Sequence, residues 1–252
     1  MFYFDNFFGK KVLKSTLLEG CEHFFTTRDF ILHCGTKEEL KEQSLQNVDF
    51  LIDKLDIGWG NLYRCKQQHT ANICCAENEN NVFDNTDGIV LTKPQSACFL
   101  NFADCIPVIL YDKKSNIGSV VHAGWRGTAA KIVQNAVNIM QEKGAVPQNI
   151  SAAIGPGIGK CCFDVKEDVF YQIIESVGGL EKADKNIYYY CPQSEKYHVD
   201  LKLVNKILLN QSSVNMIDVS DYCTSCSCDV FFSYRKENGN TARHSAVLKI
   251  KE

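Results

Sequence analysis

Cys105 and His122 are the residues of this chain best placed to do chemistry together. They bracket two apolar runs, Ile106 to Tyr111 and Ile117 to Val121, joined by the polar turn Asp112-Lys113-Lys114-Ser115-Asn116. Strands joined by so short a turn run antiparallel, so the start of the first lies beside the end of the second. Thiol and imidazole are therefore expected to be neighbours. Directly after His122, Gly124-Trp125-Arg126-Gly127-Thr128 leads into a segment where Ala129, Ile132, Val133, Ala136, Val137 and Met140 recur at helical spacing before Gly144. A turn opening a helix offers free backbone N–H groups, and Arg126 adds a fixed positive charge. The stretch reads as a Cys/His site beside an anion pocket.

The pair admits three chemistries: nucleophile and base, two ligands of a metal, or two core residues that happen to be close. Taken alone, a Cys and a His at strand ends are more often structural. His69 bears on the choice. It follows Gln67 and Gln68 in a segment too polar for a core, and two imidazoles with one thiolate suffice for a catalytic zinc with one coordination position open. Spacing alone does not show convergence, since His69 stands 36 positions before Cys105 and His122 stands 17 after it.

The elements that must position these residues are mostly strands. Phe2 to Phe8, Lys11 to Leu17 and His23 to Thr27 read as short strands, followed by a helix with Thr36 and Glu39 as a capping box and Leu40, Val48, Leu51, Ile52 and Leu55 on one face. A polar loop is expected from Glu77 to Asn85, then a strand from Ile89 to Thr92 and another from Ile150 to Ile154 that runs into a glycine-rich turn. Asp164 with Glu167, and Asp200, are expected to cap two further helices. Val230 to Arg235 is expected to pair with His244 to Ile250 across Asn238-Gly239, a strong hairpin signal. Strands outnumber helices and follow one another directly. This points to an α+β fold, with mixed or antiparallel sheets sandwiched and flanked by helices, over a doubly wound fold.

Composition narrows the partners. The chain has 252 residues, 45% of them apolar, and no linker-like stretch, so one domain over 1–252 is expected. A net charge of -3 and a pI near 6.1 give no reason to expect nucleic acid or an anionic membrane. The first residues, MFYFDNFFGKK, lack the order of a secretory signal, and a cytoplasmic protein acting on small soluble molecules is the expectation. Thirteen cysteines, an odd number, then read as reduced thiols packed as small apolar residues. A zinc knuckle at Cys223-x-x-Cys226-x-Cys228 lacks a nearby fourth ligand other than His244, so buried thiols beside a strand are the preferred account there.

Gln67-Gln68-His69, Ala103-Asp104-Cys105-Ile106-Pro107-Val108, His122-Ala123-Gly124-Trp125-Arg126-Gly127, Ile154 to Cys162, Cys223-Thr224 and Phe231-Phe232-Ser233-Tyr234-Arg235 resemble, in order, the motifs of the YfiH family, long labelled a multicopper polyphenol oxidase or laccase domain. The resemblance runs in register over roughly residues 20 to 250. It implies a fold like the α+β sandwich of the cytotoxic necrotizing factor catalytic domain. It implies zinc held by His69, Cys105 and His122, and it implies phosphorolysis of adenosine, inosine, guanosine and methylthioadenosine together with deamination of adenosine. Purine nucleoside and phosphate are then the small-molecule partners. Editing of peptidoglycan precursors is associated with a bacterial branch. The chain departs from the family at Asp29-Phe30-Ile31-Leu32, where a Gly-Gly-Val-Ser turn is usual, at Ala242 in Thr241-Ala242-Arg243, and at Thr70, where glycine follows the first ligand.

On this reading Arg126 holds phosphate with help from Arg28 or Arg243, and Asp104, with Gln67, stands behind the metal ligands. Two other readings compete. A metal-free hydrolase acting on a cell-wall precursor would use Cys105 as thiolate and His122 as base. A copper-dependent laccase needs many histidines in His-x-His pairs, whereas this chain has six histidines and no such pair, so copper is expected only as an adventitious occupant of one site.

Overall fold

The computed structural model describes residues 1–77 and 80–252. The polar loop expected over 77–85 includes residues 78 and 79, which lie outside the described residues. Two large sheets dominate. A seven-stranded sheet contains, in spatial order, Phe2–Phe7, Lys10–Ser15, Glu22–Thr26, His244–Lys249, Ala97–Phe102, Leu62–Cys65 and Val82–Phe83. A six-stranded sheet runs Met216–Val219, Ile150–Ile154, Ile106–Asp112, Ile117–Ala123, Gly88–Leu91 and Ile73–Cys75. Both mix parallel and antiparallel pairs.

Side-chain alternation explains the layering. In Ile106–Asp112, Ile106, Val108 and Leu110 face one cluster while Ile109 and Tyr111 face another. The first cluster packs the six-stranded sheet against helices Ile132–Glu142, Glu167–Ser176 and Leu201–Gln211 through residues such as Val133, Met140, Phe170, Ile174, Val204 and Leu208. The second lies between the sheets, where Ile109, Val120 and Ala153 meet Phe25, Leu100 and Leu248. The outer face of the seven-stranded sheet, with Phe24, Phe99 and Val247, covers Val48, Leu51 and Leu55 of helix Lys41–Leu55. The result is helix, sheet, sheet, helix. Central strands buried on both faces read as unbroken apolar runs, which is why Ile106 to Tyr111 shows no polar alternation.

The hairpin forms as expected, with Ile117–Ala123 antiparallel to Ile106–Asp112. Three other expectations are corrected. Val230 to Arg235 is not a strand: it folds as successive turns, and His244–Lys249 instead pairs with Glu22–Thr26 and Ala97–Phe102. Asn238 and Gly239 do take positive φ, of 50° and 83°, but they close a loop in which the Gly239 N–H donates to Tyr234 O. Thr36 caps no helix, because its hydroxyl bonds the 239–241 segment and the helix begins at Lys41. Asp164 is in a two-residue strand and pairs with Lys196, leaving Lys166 at the helix start. Asp200 does cap its helix, accepting from the Leu203 N–H at 3.0 Å. Among the described residues no helix is long and apolar enough to cross a membrane.

Two histidines are locked in as neutral rings. Burial lowers the pKa of His23 to about 4 and that of His244 to about 3. The unfolded chain binds these protons near pH 6.5 while the fold refuses them, so stability falls as pH drops from there toward the folded-state values. His23→Gln is expected to remove about 2 kcal/mol of the stability difference between pH 7 and pH 5. Urea unfolding at the two pH values checks this, and equal differences in variant and parent would show that the ring is not held neutral.

Candidate metal centre and cleft

The hairpin register sets the first two groups. His122 pairs with Pro107 and Ala123 with Ile106, so Cys105 and Gly124 lie one step beyond the ladder, side by side. A Cβ on Gly124 would stand 3.1 Å from the Cys105 Sγ and 3.0 Å from His69 Cδ2. Only glycine leaves room for the thiol and the third residue to close in. His69 arrives from the loop after Leu62–Cys65 with a left-handed backbone, φ 60°. Its ring stands 4.9 Å from that of His122, centroid to centroid. The ligand atoms of His69, Cys105 and His122 all lie within 4.8 Å of one another. His122 is buried, Cys105 half-buried and His69 exposed.

Asp87, which sequence reading passed over, organises the group. Its Oδ1 is 2.8 Å from His122 Nδ1 and accepts from the His69 N–H at 3.1 Å. Its Oδ2 accepts from the N–H groups of Gln68 and Thr70 and from the Thr70 hydroxyl at 2.8 Å. Fully buried, Asp87 is pushed up by desolvation, yet these bonds, that of His122 first, take its carboxyl well below the usual range. Thr70, one of the departures from the family pattern, thus adds a hydroxyl bond to the carboxylate. The only signal for Asp87 in the sequence was its place before Gly88 at a strand start.

Asp104 behaves differently. Its carboxylate accepts from the Thr224 hydroxyl at 2.7 Å and the Arg235 N–H at 2.6 Å and has no bond to a ligand ring. It ties the turn bearing Cys105 to the 220–240 loop. Gln67 bonds both ways with the Asn101 backbone, at 2.8 and 2.9 Å, continuing the contact of Leu62–Cys65 with Ala97–Phe102 up to the residue pair before Thr70.

The cluster lies in a cleft of about 660 Å³ lined also by Trp125, Phe163, Tyr234, Arg235 and Arg243. Of the arginines expected around it, the structure brings in Arg243, whose guanidinium is steadied by the carbonyls of Thr241 and Ala242. Arg28 is outside the lining: it donates to Cys228 O, pairs with Glu237 at 2.8 Å and stacks on Phe232. Arg126 is exposed and stacks on Trp125 at 4.3 Å, also outside the lining. Arg235, quoted from sequence only as the end of a motif and given no role there, is in it, and donates to Cys162 O and pairs with Asp164.

Burial pushes the Cys105 thiol up, but the charge and hydrogen bond of His122, and then those of His69, bring it down. Burial lowers the His122 pKa in turn, and the Cys105 thiolate and Asp87 raise it above its ordinary value. The pair therefore favours thiolate with imidazolium, or thiolate with a metal in place of the proton. One sulfur and two nitrogens, with one imidazole already oriented by a carboxylate, fit a borderline-soft cation that keeps a fourth position open.

The sheet sandwich that carries this group is a fold already seen in solved structures. The crystal structure of the Bacillus licheniformis hypothetical protein YfiH superposes with a TM-score of 0.86 at 27% identity, covering 98% of this chain and 99% of that one. The chain belongs to the family described as multi-copper polyphenol oxidoreductase laccase, which matches residues 23–251. Among its relatives, purine nucleoside phosphorylase YlmD of Bacillus subtilis is 32% identical over 170 residues, 66% of this chain and 59% of that protein. Adenosine deaminase RL5, from an unknown prokaryotic organism, is 28% identical over 249 residues, 90% of this chain and 92% of that protein.

Asp87→Asn is expected to weaken the cluster's affinity for an added divalent ion such as zinc by about 10- to 100-fold, whereas Asp104→Asn, whose carboxylate is bonded to Thr224 and the Arg235 N–H rather than to a ring, leaves it unchanged. Competition titration with a chromophoric chelator measures both. Equal weakening in the two variants would remove the distinction between them.

Proposed function

We propose that the chain is a zinc-dependent purine nucleoside phosphorylase, acting on adenosine, inosine, guanosine and methylthioadenosine, with adenosine deaminase activity. The observation that carries the reading is the convergence of His69, Cys105 and His122 behind an open cleft. Relatives named for both activities support it. Zinc held by the three residues would supply a Lewis-acid centre at the cleft floor.

The chain's own residues do the rest. Asp87 fixes the His122 ring so that Nε2 is the atom offered to the metal. Arg243 gives the cleft a permanent positive charge for phosphate, and Arg235, whose guanidinium is already paired with Asp164, stands beside it in the lining. Arg126, carried on Trp125, adds a further charge beside that lining residue, and Arg28 serves the 228–237 loop. Trp125, Phe163 and Tyr234 offer apolar faces for a purine ring.

One observation favours a second reading. The lowered Cys105 thiol beside His122 is also what a metal-free hydrolase of cell-wall precursors needs. Elemental analysis separates the two, since the hydrolase requires no stoichiometric zinc. Copper at the same three ligands remains an in vitro occupant on this reading. Among the described residues the only other metal-capable group is made of four cysteines, a donor set unlike that of a laccase.

Cys105→Ala is expected to abolish phosphate-dependent release of hypoxanthine from inosine, and retained turnover would remove the cluster from the chemistry. Arg243→Gln is expected to raise the phosphate KM roughly 10- to 100-fold, the loss of one charge-assisted bond. Arg28→Gln should lower the urea midpoint with no change in that KM. A phosphate KM indifferent to Arg243 would place the anion elsewhere.

A further inference from the structure

A second group of metal-capable side chains sits outside the cleft. The sulfurs of Cys161, Cys162, Cys223 and Cys226 all lie within 4.8 Å of one another. Cys226 Sγ is 3.6 Å from Cys161 Sγ and 3.5 Å from Cys162 Sγ. The sequence pattern Cys223-x-x-Cys226 lacked further ligands only because they are more than sixty positions away, in the turn after the glycine-rich loop. His244 is not one of them: it is buried between Phe102 and Phe231, with Nε2 3.4 Å from Pro156 O. Cys228 is outside the group. Nor are these simply buried thiols, because Cys161 and Cys226 are exposed.

We propose that Cys161, Cys162, Cys223 and Cys226 form a tetrathiolate site for a structural zinc ion, separate from the His69/Cys105/His122 centre. Metal–sulfur bonds of about 2.3 Å in a tetrahedron put the sulfurs about 3.8 Å apart. The 3.5 and 3.6 Å separations here match that edge and are far longer than a disulfide of about 2.05 Å. A polynuclear iron–sulfur cluster, which interposes inorganic sulfide between its irons, needs cysteines spread farther apart. Four soft anionic ligands and no open position describe a closed structural site.

Two independent features of the surroundings fit a metal thiolate. The Gly159 N–H donates to Cys223 Sγ at 3.2 Å, the kind of backbone bond that steadies a ligand sulfur. Gly159 itself is packed against the group: a Cβ there would stand 3.1 Å from Cys223 Cβ and 3.3 Å from Cys161 Sγ. In addition, the buried Lys202 ammonium is anchored to Ser220 O and Tyr222 O, next to Cys223 in sequence. A zinc tetrathiolate carries two negative charges, and a buried cation nearby offsets them.

Binding releases the four thiol protons and locks two irregular segments together. One is the 155–163 loop, which contributes Ile158 and Phe163 to the cleft; the other is the 220–228 segment. The Cys162 carbonyl also receives Arg235. Zinc in this position would therefore stiffen the cleft wall that carries Arg235 without touching the substrate.

Metal content of protein purified under reducing conditions without chelator tests the site. Cys161→Ser/Cys226→Ser is expected to lose one zinc per chain relative to the parent, and His69→Ala to lose a different one. A parent with zinc that disappears only in the cysteine pair variant would sink the His69 centre and leave this site standing. Cobalt substitution should give the thiolate-to-cobalt charge-transfer spectrum of a four-sulfur site, persisting in Cys105→Ala. Should the pair variant fold poorly, the parent alone suffices: the four cysteines should resist alkylation until a strong chelator is added. Zinc content unchanged in a folded pair variant, alkylation indifferent to chelator, or a disulfide within the group after anaerobic purification would each overturn the proposal.

Discussion

A buried carboxylate is the constraint on which the candidate site rests. Asp87 has no exposed surface, and a bare charge there would cost several kcal/mol. It is tolerated because five donors converge on its two oxygens: one imidazole, three consecutive backbone N–H groups and one hydroxyl. The dependence runs both ways. The three N–H groups belong to Gln68, His69 and Thr70, so the acid curls that segment around itself and holds His69 at φ 60°, a conformation that costs about 1–3 kcal/mol for a residue with a Cβ. One side chain therefore sets the position of one imidazole through the backbone and the orientation of the other through its ring.

The sheets supply what the carboxylate cannot. Antiparallel pairing of Ile106–Asp112 with Ile117–Ala123 puts Cys105 and Gly124 at the same open end, and Gly88, paired with Val121 on the next strand, brings Asp87 to that end too. The second sheet closes the floor, with Phe102 packed 5.2 Å from the His122 ring. The site is therefore a consequence of strand order. A one-residue slip of the hairpin would turn His122 to the opposite face and dismantle it.

Sequence reading reached the parts of this that are local. Helical and strand periods, the hairpin and the Asp200 cap were legible because each depends on neighbours a few positions away. So was the contact of Cys105 with His122, since a five-residue turn fixes it. His69 required the family resemblance, because its approach depends on a crossing between strands that spacing does not encode. Asp87 was missed for the same reason: an acid before a glycine is an ordinary strand start until three amides 17 to 19 positions earlier fold over it. The Asn238-Gly239 signal misled because positive φ serves any tight loop, and the flanking segment of Val230 to Arg235 found its partners in Arg28 and Asp104 rather than in a ladder. Arg28 and Arg243 looked alike in sequence, as arginines in loops. What separates them is Glu237, which forms an ion pair with Arg28, while the hydrogen bonds of the Arg243 guanidinium go to carbonyls.

The cleft wall opposite the hairpin has few ladder hydrogen bonds to stiffen it. Residues 155–163 and 220–240 are almost wholly turns and isolated bridges, and chain of that kind opens easily unless side chains tie it down. The ties present are unusually concentrated. Asp104 binds Thr224 and the Arg235 amide, Arg235 binds Cys162 O and Asp164, and Gly157 bridges to Cys223. Apart from the pairing of Arg235 with Asp164, which reaches the strand that follows, each of these joins the two irregular segments to each other or to the turn bearing Cys105. Four cysteines placed in the same seam continue that logic, since a cross-link is most useful where regular structure gives out. The exposed positions of Cys161 and Cys226 follow as well: a seam between surface loops has no apolar interior in which to hide them.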